Sequence, residues 1–268
     1  MQEITVNGKS FLVEPKGHED FWSLVNSGGW EASTYKTFDE NIDDTTLMID
    51  IGGWIGPTAL YAAQLAQKCV AFEPDPIAFE QLQANAALNS QASWSKNLVI
   101  LNKAVGTKAG TIPFGSRKGG GDSTSSVLFA DGPTSWLVEA VTLQSVLDEH
   151  AEPGQKIFLK IDIEGGEYDL IPGIKAFLAH PNVTATISLH PTFLRRSLRK
   201  SLGRFLGFPR FIQSRKQFHK INKALVEALP SNKTVTINGK RYTDFKWFLI
   251  NAFVRLRSPT EILIRNDA

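Results

Sequence analysis

The sequence predicts an α/β fold: a mostly parallel central sheet with helices on both faces. Three observations carry this expectation. Between about residues 46 and 190, strand-like and helix-like segments alternate. The strand-like segments are close to continuously apolar, as strands covered on both faces must be. Polar residues then gather where those segments end, the place where open α/β sheets bind ligands.

The chain opens with "EITVNGKSFLV" (3–13), two alternating strands around Asn7-Gly8, a pair that favours the type I′ hairpin turn. Residues 1–45 are read as this hairpin and a lead-in. The core, 46–192, starts with the strand "TTLMIDIG" and a helix from Pro57 to Lys68, proline suiting a first helical turn where no N–H partner is needed. "CVAFEPDP" is the second strand. Helix 76–89 follows, with Ile77, Phe79, Leu82 and Ala86 among its apolar positions. "NLVILNKAVG" is the third strand, and the turn-rich stretch 106–135 is a loop or hairpin excursion. "WLVEAVTLQSVLDEH" reads as a strand running into a short helix, and "KIFLKIDIEGG" and "VTATISLHP" as the fourth and fifth core strands. Segment 193–268 completes the same domain. Leu194, Leu198, Leu202 and Leu206 recur every four residues with Arg195, Arg196, Arg199 and Lys200 on other faces, an amphipathic basic helix ending near Gly207. A second helix covers roughly 212–229, "VTINGKRY" repeats the hairpin device at Asn238-Gly239, and "TEILIRN" is a strand returning to the sheet edge.

Of 268 residues, 42% are apolar and 21% charged, an ordinary soluble composition. No run of eighteen apolar residues suggests a membrane span, and "MQEITVNGKSF" lacks the basic and apolar regions of a secretory signal. Cys69 is the only cysteine, so no internal disulfide forms, and a cytoplasmic location is expected, with peripheral membrane contact as a variant. The net charge of +2 is unevenly spread. Residues 193–220 hold nine Lys/Arg and no acid, leaving 20 Lys/Arg against 27 Asp/Glu elsewhere. Such a segment is either a solvated face or a site for an anionic partner: a membrane surface, an acidic glycan, or nucleic acid. Nucleic acid is disfavoured, because no RRM, KH or zinc-finger pattern is present.

The strand ends supply the candidate chemistry: Asp50-Ile51-Gly52-Gly53, Glu73-Pro74-Asp75, Asn102, Asp162-Ile163-Glu164-Gly165 and His190-Pro191. Glu73 lies about twenty residues past the first glycine, where an acid binds the ribose hydroxyls of either a dinucleotide or S-adenosylmethionine. The turn decides between them. A pyrophosphate wants bare N–H groups with no anion alongside, whereas Asp50 suits a sulfonium and an α-ammonium. The glycines let the backbone approach the ligand. The bland alternative is that Asp50 merely caps a helix.

The blocks "IDIGGWIG", "VAFEPDP", "NKAVG", "TLQSVL" and above all "LKIDIEGGEYDLIPG", with the lead-in "GGWEASTY", resemble the FkbM-type family of S-adenosylmethionine-dependent methyltransferases over about residues 28–192. The resemblance implies a Rossmann-like class I methyltransferase fold and O-methylation of hydroxyls on sugars, polyketides and related small molecules. It implies that Asp50, Gly52, Gly53 and Gly56 cradle the methionine end, Glu73 the ribose and the Asn102–Ala104 turn the adenine. Glu31 would line the cofactor mouth, and Asp162 would face the methyl group with Glu164 and Glu167 close by. Three positions depart from the family pattern: Trp54 replaces Asn, Gln144 replaces the Asp of T-L-D, and Ser188 stands where an acid often precedes the histidine. These departures keep a non-catalytic cofactor-binding module open beside the enzyme. A nucleic-acid methyltransferase using residues 193–220 is the other alternative.

An alcohol is a poor nucleophile, so a base within hydrogen-bond reach helps. His190 sits at the right strand end with a suitable ordinary pKa, although a structural histidine before a proline turn is an equal reading. Asp162 and Glu164 alternate along a strand and would point to opposite faces unless the chain turns at once, as Gly165-Gly166 permits. With His190, either acid offers hard ligands for a divalent metal. That reading is not favoured, and nothing supports zinc.

Overall fold

The computed structural model describes residues 1–116, 119–121, 123, 125–130, 134–201, 208–249 and 260–266. Strands β1 (Gln2–Val6) and β2 (Lys9–Val13) form the expected hairpin, with Asn7 and Gly8 both at positive φ. Helices α1 (Glu19–Asn26) and α2 (Ala32–Asn41) lead into β3 (Thr46–Ile51), α3 (Pro57–Ala62), β4 (Lys68–Phe72), α4 (Pro76–Leu88) and β5 (Leu98–Leu101). The excursion is a second sheet of β6 (Ala104–Gly106), β7 (Gly110–Ser116) and β8 (Thr134–Thr142), in the order β6-β8-β7. Then follow α5 (Leu143–His150), β9 (Lys156–Ile161), α6 (Glu167–Gly173), α7 (Lys175–Leu178) and β10 (Val183–Leu189). The chain continues through α8 (Pro191–Ser201), α9 (Phe208–Ala228), β11 (Thr234–Ile237), β12 (Lys240–Arg241), α10 (Phe245–Leu249) and β13 (Thr260–Arg265).

The main sheet runs β12-β11-β13-β10-β9-β3-β4-β5. Every pair from β10 to β5 is parallel, and the pairs involving β13, β11 and β12 are antiparallel. All six residues of β3 are buried, which is why its sequence does not alternate. Leu47, Ile49 and Ile51 pack on one face against residues such as Leu170, Leu178 and Leu225. Met48 packs on the other against Trp22, Tyr35, Phe38 and Tyr61. From β3 the chain steps outward to β4 and β5, and later returns on the opposite side as β9 and β10. The crevice above β3 is therefore the switch point at which such sheets bind ligands.

Several expectations need correction. Helix α3 stops at Ala62, not Lys68, because Lys68 is already paired in the sheet with Leu47. The third strand breaks at Asn102, whose amide donates to the Glu73 carbonyl (2.8 Å), and Ala104 crosses to pair with Ala140. In α4 the buried face is Ala78, Leu82 and Asn85, while Ile77 is exposed. Asn85 is polar yet buried because it ties Glu14 to Ile55, accepting from the first and donating to the second. The final strand β13 is interior, bonded on both sides by β10 and β11 with Ile262 and Ile264 fully buried, and β12 takes the edge. Helix α8 is described to Ser201, and the rest of the predicted basic helix, with Leu202, Leu206 and Gly207, lies outside the described residues. Helix α9 begins earlier than expected, at Phe208. Leu194 is buried and Leu198 packs on the core, whereas Arg195, Arg196 and Arg199 are exposed.

Candidate active site

The carboxyl ends of β3, β4, β9 and β10 meet around a cavity of 230 Å³, and the predicted glycine turn forms its floor. Gly52 has φ +93°, and a Cβ there would lie 1.9 Å from the Asp162 carbonyl oxygen. No side chain fits, because the ends of β3 and β9 close on each other at this point. Gly52 and Gly53 both donate to the Phe72 carbonyl and line the cavity. Gly56 does not line it. Its φ of +99° starts α3, and a Cβ would press on Leu82 at 2.7 Å, so its role is in packing. Trp54 also has positive φ (46°). Its backbone N–H donates to Glu73 Oε2 (2.7 Å) and its indole N–H to the Gly121 carbonyl (3.1 Å). Its ring stands edge-on to Phe21 and His18 in the cavity wall. A second, mostly apolar cavity of 410 Å³ adjoins the first, sharing Gly52, Pro74, Phe114 and Ile163, with Phe72, Ala104 and Val105 in its lining.

Asp50 sits differently from the expectation. It is fully buried, does not line the cavity, and spends its charge inside the protein. Thr58 Oγ1 donates to Asp50 Oδ2 (2.6 Å) and Lys160 Nζ to Oδ1 (3.1 Å). Lys160, which does line the cavity, also donates to the Gly52 carbonyl (3.3 Å) and lies 3.8 Å from Asp162. Burial works against the Lys160 charge, but Asp50, Asp162 and Glu31 outweigh it, and the ammonium is held above its ordinary range. Asn102 is likewise a structural tie, absent from the linings of both cavities.

Glu73 and Glu31 are placed as expected. Glu73 lines the cavity while accepting from the N–H groups of Trp54 and Asp75. Burial pushes its carboxyl up to about 8, against the lowering effect of those two donors. Glu31 precedes α2 in a left-handed conformation, and its Oε2 is buried with no hydrogen-bond partner among the described residues. Burial, then the charge of Asp162, raises its pKa.

Asp162 and Glu164 do not point to opposite faces. β9 ends at Ile161 and the chain turns at once, with Glu164 at φ 54° and Gly165 at φ 103°. Both carboxylates reach His190 Nε2, at 3.6 and 3.5 Å. On the other side of the ring, Nδ1 lies 3.0 Å from Oε1 of the fully buried Glu167. Glu167 is itself fixed by the N–H groups of Ile163 and Gly165. Burial lowers the imidazole pKa, but the Glu167 hydrogen bond and the three carboxylate charges prevail and raise it to about 9. Ligand atoms of Asp162, Glu164 and His190 lie within 4.8 Å of one another, a spacing compatible with a cation.

Two residues escaped the sequence reading. Lys160 was visible in "LKIDIEGG", two positions before Asp162, but only the fold shows that Asp50 faces it. Glu261 had no local signal. In the β10–β13 register it stands opposite Ser188, whose hydroxyl donates to Oε1 (3.0 Å) and lies 3.2 Å from Oε2. A carboxylate thus comes from the neighbouring strand where Ser188 itself lacks one. Burial, with Glu31 and Asp162 nearby, raises Glu261 to about 7.

These residues fit S-adenosylmethionine. Among the described residues, carboxylates outnumber cations around the cavity and Glu31 keeps an unmatched buried oxygen there, and the glycine floor admits close approach of a ligand. The sequence profile of the methyltransferase FkbM domain matches residues 50–228. Methyltransferase sdnD of Sordaria araneosa is 28% identical, over 50% of this chain and 62% of its own length, so the chain spans less than two thirds of that relative. Among solved structures, methyltransferase FkbM of Methylobacillus flagellatus KT is 14% identical with a TM-score of 0.49, over 94% of this chain and 56% of its own. An rRNA methylase of Streptococcus thermophilus is 11% identical with a TM-score of 0.42, over 88% and 95%. The profile match covers well over half of the chain and takes in the carboxyl ends of β3, β4, β9 and β10 that meet at the cavity: the chain belongs to the FkbM family of methyltransferases.

Proposed function

We propose that this protein methylates a hydroxyl of a saccharide or small natural product and that His190 accepts the hydroxyl proton. The observation that carries the reading is the orientation of the imidazole. A buried carboxylate holds Nδ1, and Nε2 is turned between Asp162 and Glu164 at the cavity. This is the base-plus-orienter arrangement of an activated hydroxyl.

S-adenosylmethionine supplies an electrophilic methyl group on a sulfonium centre. The protein's own share is placement, since much of the rate of an in-line displacement comes from alignment. Glu73, anchored by two backbone donors, presents its remaining lone pairs to vicinal hydroxyls. The apolar cavity beside Phe72, Ala104 and Val105 suits a flat heterocycle. Glu31 and Asp162 form the anionic wall for a cationic centre. With a pKa of about 9, His190 is mostly imidazolium at neutral pH. A second positive charge entering the same cavity makes its proton easier to lose. Neutral Nε2 can then take the acceptor's proton, while Asp162 and Glu164 stabilise the imidazolium that results.

The test is S-adenosylhomocysteine release across a panel of sugar and polyol acceptors. Turnover is expected to rise with pH up to the imidazole pKa. His190→Gln is expected to lower kcat by about 10²–10⁴ while cofactor binding changes little. Full turnover in His190→Gln would remove the base role. Absence of S-adenosylhomocysteine binding in calorimetry would remove the whole reading.

A further inference from the structure

We infer that the acceptor carries an acidic oxyanion, phosphate or carboxylate, held outside the cavity by Arg196 at the end of an aromatic ladder that starts on His190. The inference rests on the proposed methyl transfer and names the class of acceptor. Helix α8 begins directly after His190, and the N–H groups of Phe193 and Leu194 donate to the His190 carbonyl. The Phe193 ring stacks on the imidazole, with centroids 5.7 Å apart and planes 13° off parallel. The Arg196 guanidinium lies over the other end of the step, 5.9 Å from the Phe193 centroid. The three side chains recur at i, i+3 and i+6, so one helix face leads from the reacting centre to solvent. Gly165 lies beneath the start of this face, where an added Cβ would come within 3.4 Å of the Phe193 Cβ.

The charges on the two ends of this ladder are of opposite sign. Inside, Glu31, Asp162 and Glu164 line the cavity, and the two cations among its described lining residues are already engaged: Lys160 by Asp50, His190 by Glu167, Asp162 and Glu164. An anion drawn among these residues would meet carboxylates and two cations already paired. Outside, Arg195, Arg196 and Arg199 are exposed on a segment, 193–220, that contains no acid. A molecule bearing both a hydroxyl and an oxyanion therefore has one orientation available, hydroxyl inward and anion at α8. The planar guanidinium suits bidentate contact with either anion, and the ladder spans a length that a phosphorylated or uronic sugar can bridge. Stacking on Phe193 preorganises Arg196, so less side-chain freedom is lost on binding.

Glucose 6-phosphate, glucuronate and glucose would be titrated into the protein saturated with S-adenosylhomocysteine, by calorimetry and by following the His190 ring proton in NMR. Both anions are expected to bind and shift the His190 signal, and glucose to do neither. Arg196→Gln should weaken the anions about tenfold, and Arg196→Lys should recover part of that loss. Equal anion affinity in wild type and Arg196→Gln, or no anion binding at all, would overturn the inference. So would anion-independent sedimentation of wild type, but not Arg196→Gln, with phosphatidylglycerol vesicles, which would assign this face to a membrane. Saturation with S-adenosylhomocysteine is measured first, so a failure of the methyl-transfer reading is seen separately.

Discussion

Replacing Lys160 by Met tests the electrostatic centre of the site. The substitution keeps most of the side-chain volume and deletes the ammonium, leaving Asp50 with one donor, Thr58. The Asp50 side chain is 0% exposed and that of Lys160 5%, with 3.1 Å between the charged atoms. Stranding one member of such a buried pair costs about 3–5 kcal/mol, because the remaining charge loses its partner without regaining water. For a chain of this size that corresponds to a fall in Tm on the order of 10 °C. Urea unfolding followed by tryptophan fluorescence gives the free energy, and the double variant Asp50→Asn with Lys160→Met supplies the control. Removing the stranded charge should recover most of the loss. The reasoning is refuted if Lys160→Met lies within about 1 kcal/mol of wild type, or if the double variant is no more stable than the single one.

Three further outcomes are expected. The His190 pKa rises on folding from its ordinary 6.5 to about 9, so its stabilising contribution is complete below pH 6.5 and disappears as pH rises through 9. Wild type should lose about 3 kcal/mol across that window in pH-dependent denaturation, and His190→Gln should lose much less. Glu31 has a raised pKa, so its charge becomes a burden as pH climbs above the ordinary carboxylate range. Glu31→Gln should therefore be more stable than wild type at pH 8, with the difference vanishing by pH 4. In binding assays it should weaken S-adenosylmethionine more than S-adenosylhomocysteine, which lacks the sulfonium charge. Finally, methyl transfer should survive dialysis against EDTA, since the imidazole of His190 already stands between Asp162 and Glu164; a loss of turnover restored by added magnesium would contradict this.

Much of the architecture was legible because it is written locally. The apolar run of β3 reflects burial on both faces, and each Asn-Gly pair adopts the positive φ that its hairpin needs. Acids at strand ends stood out for the same reason. What was hidden depends on register or on a single backbone turn. Asp50 read as a cofactor ligand because its partner, Lys160, is 110 residues away and comes alongside only when β3 and β9 pair. Glu261 is 73 residues from Ser188 and meets it only across the β10–β13 ladder. For Asp162 and Glu164 the sequence left two placements open, opposite faces or an immediate turn at Gly165-Gly166, and the left-handed backbone at Glu164, ahead of Gly165, takes the second and brings both to His190. The end of α3 was misjudged because sheet pairing at Lys68, not helix propensity, decides it.

The acid that follows Glu73 in "FEPDP" has its own consequence. Asp75 is fully buried and divides its two oxygens between separate clients. Oδ1 caps α4 through the N–H groups of Ile77 and Ala78. Oδ2 receives the Gly121 N–H (2.7 Å) and the Ser125 hydroxyl (2.6 Å). One buried carboxylate thus couples the start of α4 to Gly121 and Ser125, and the Trp54 indole, donating to the Gly121 carbonyl, ties the same glycine to the cavity wall. A change at Asp75 is therefore felt at once by the helix cap and by the wall of the cavity.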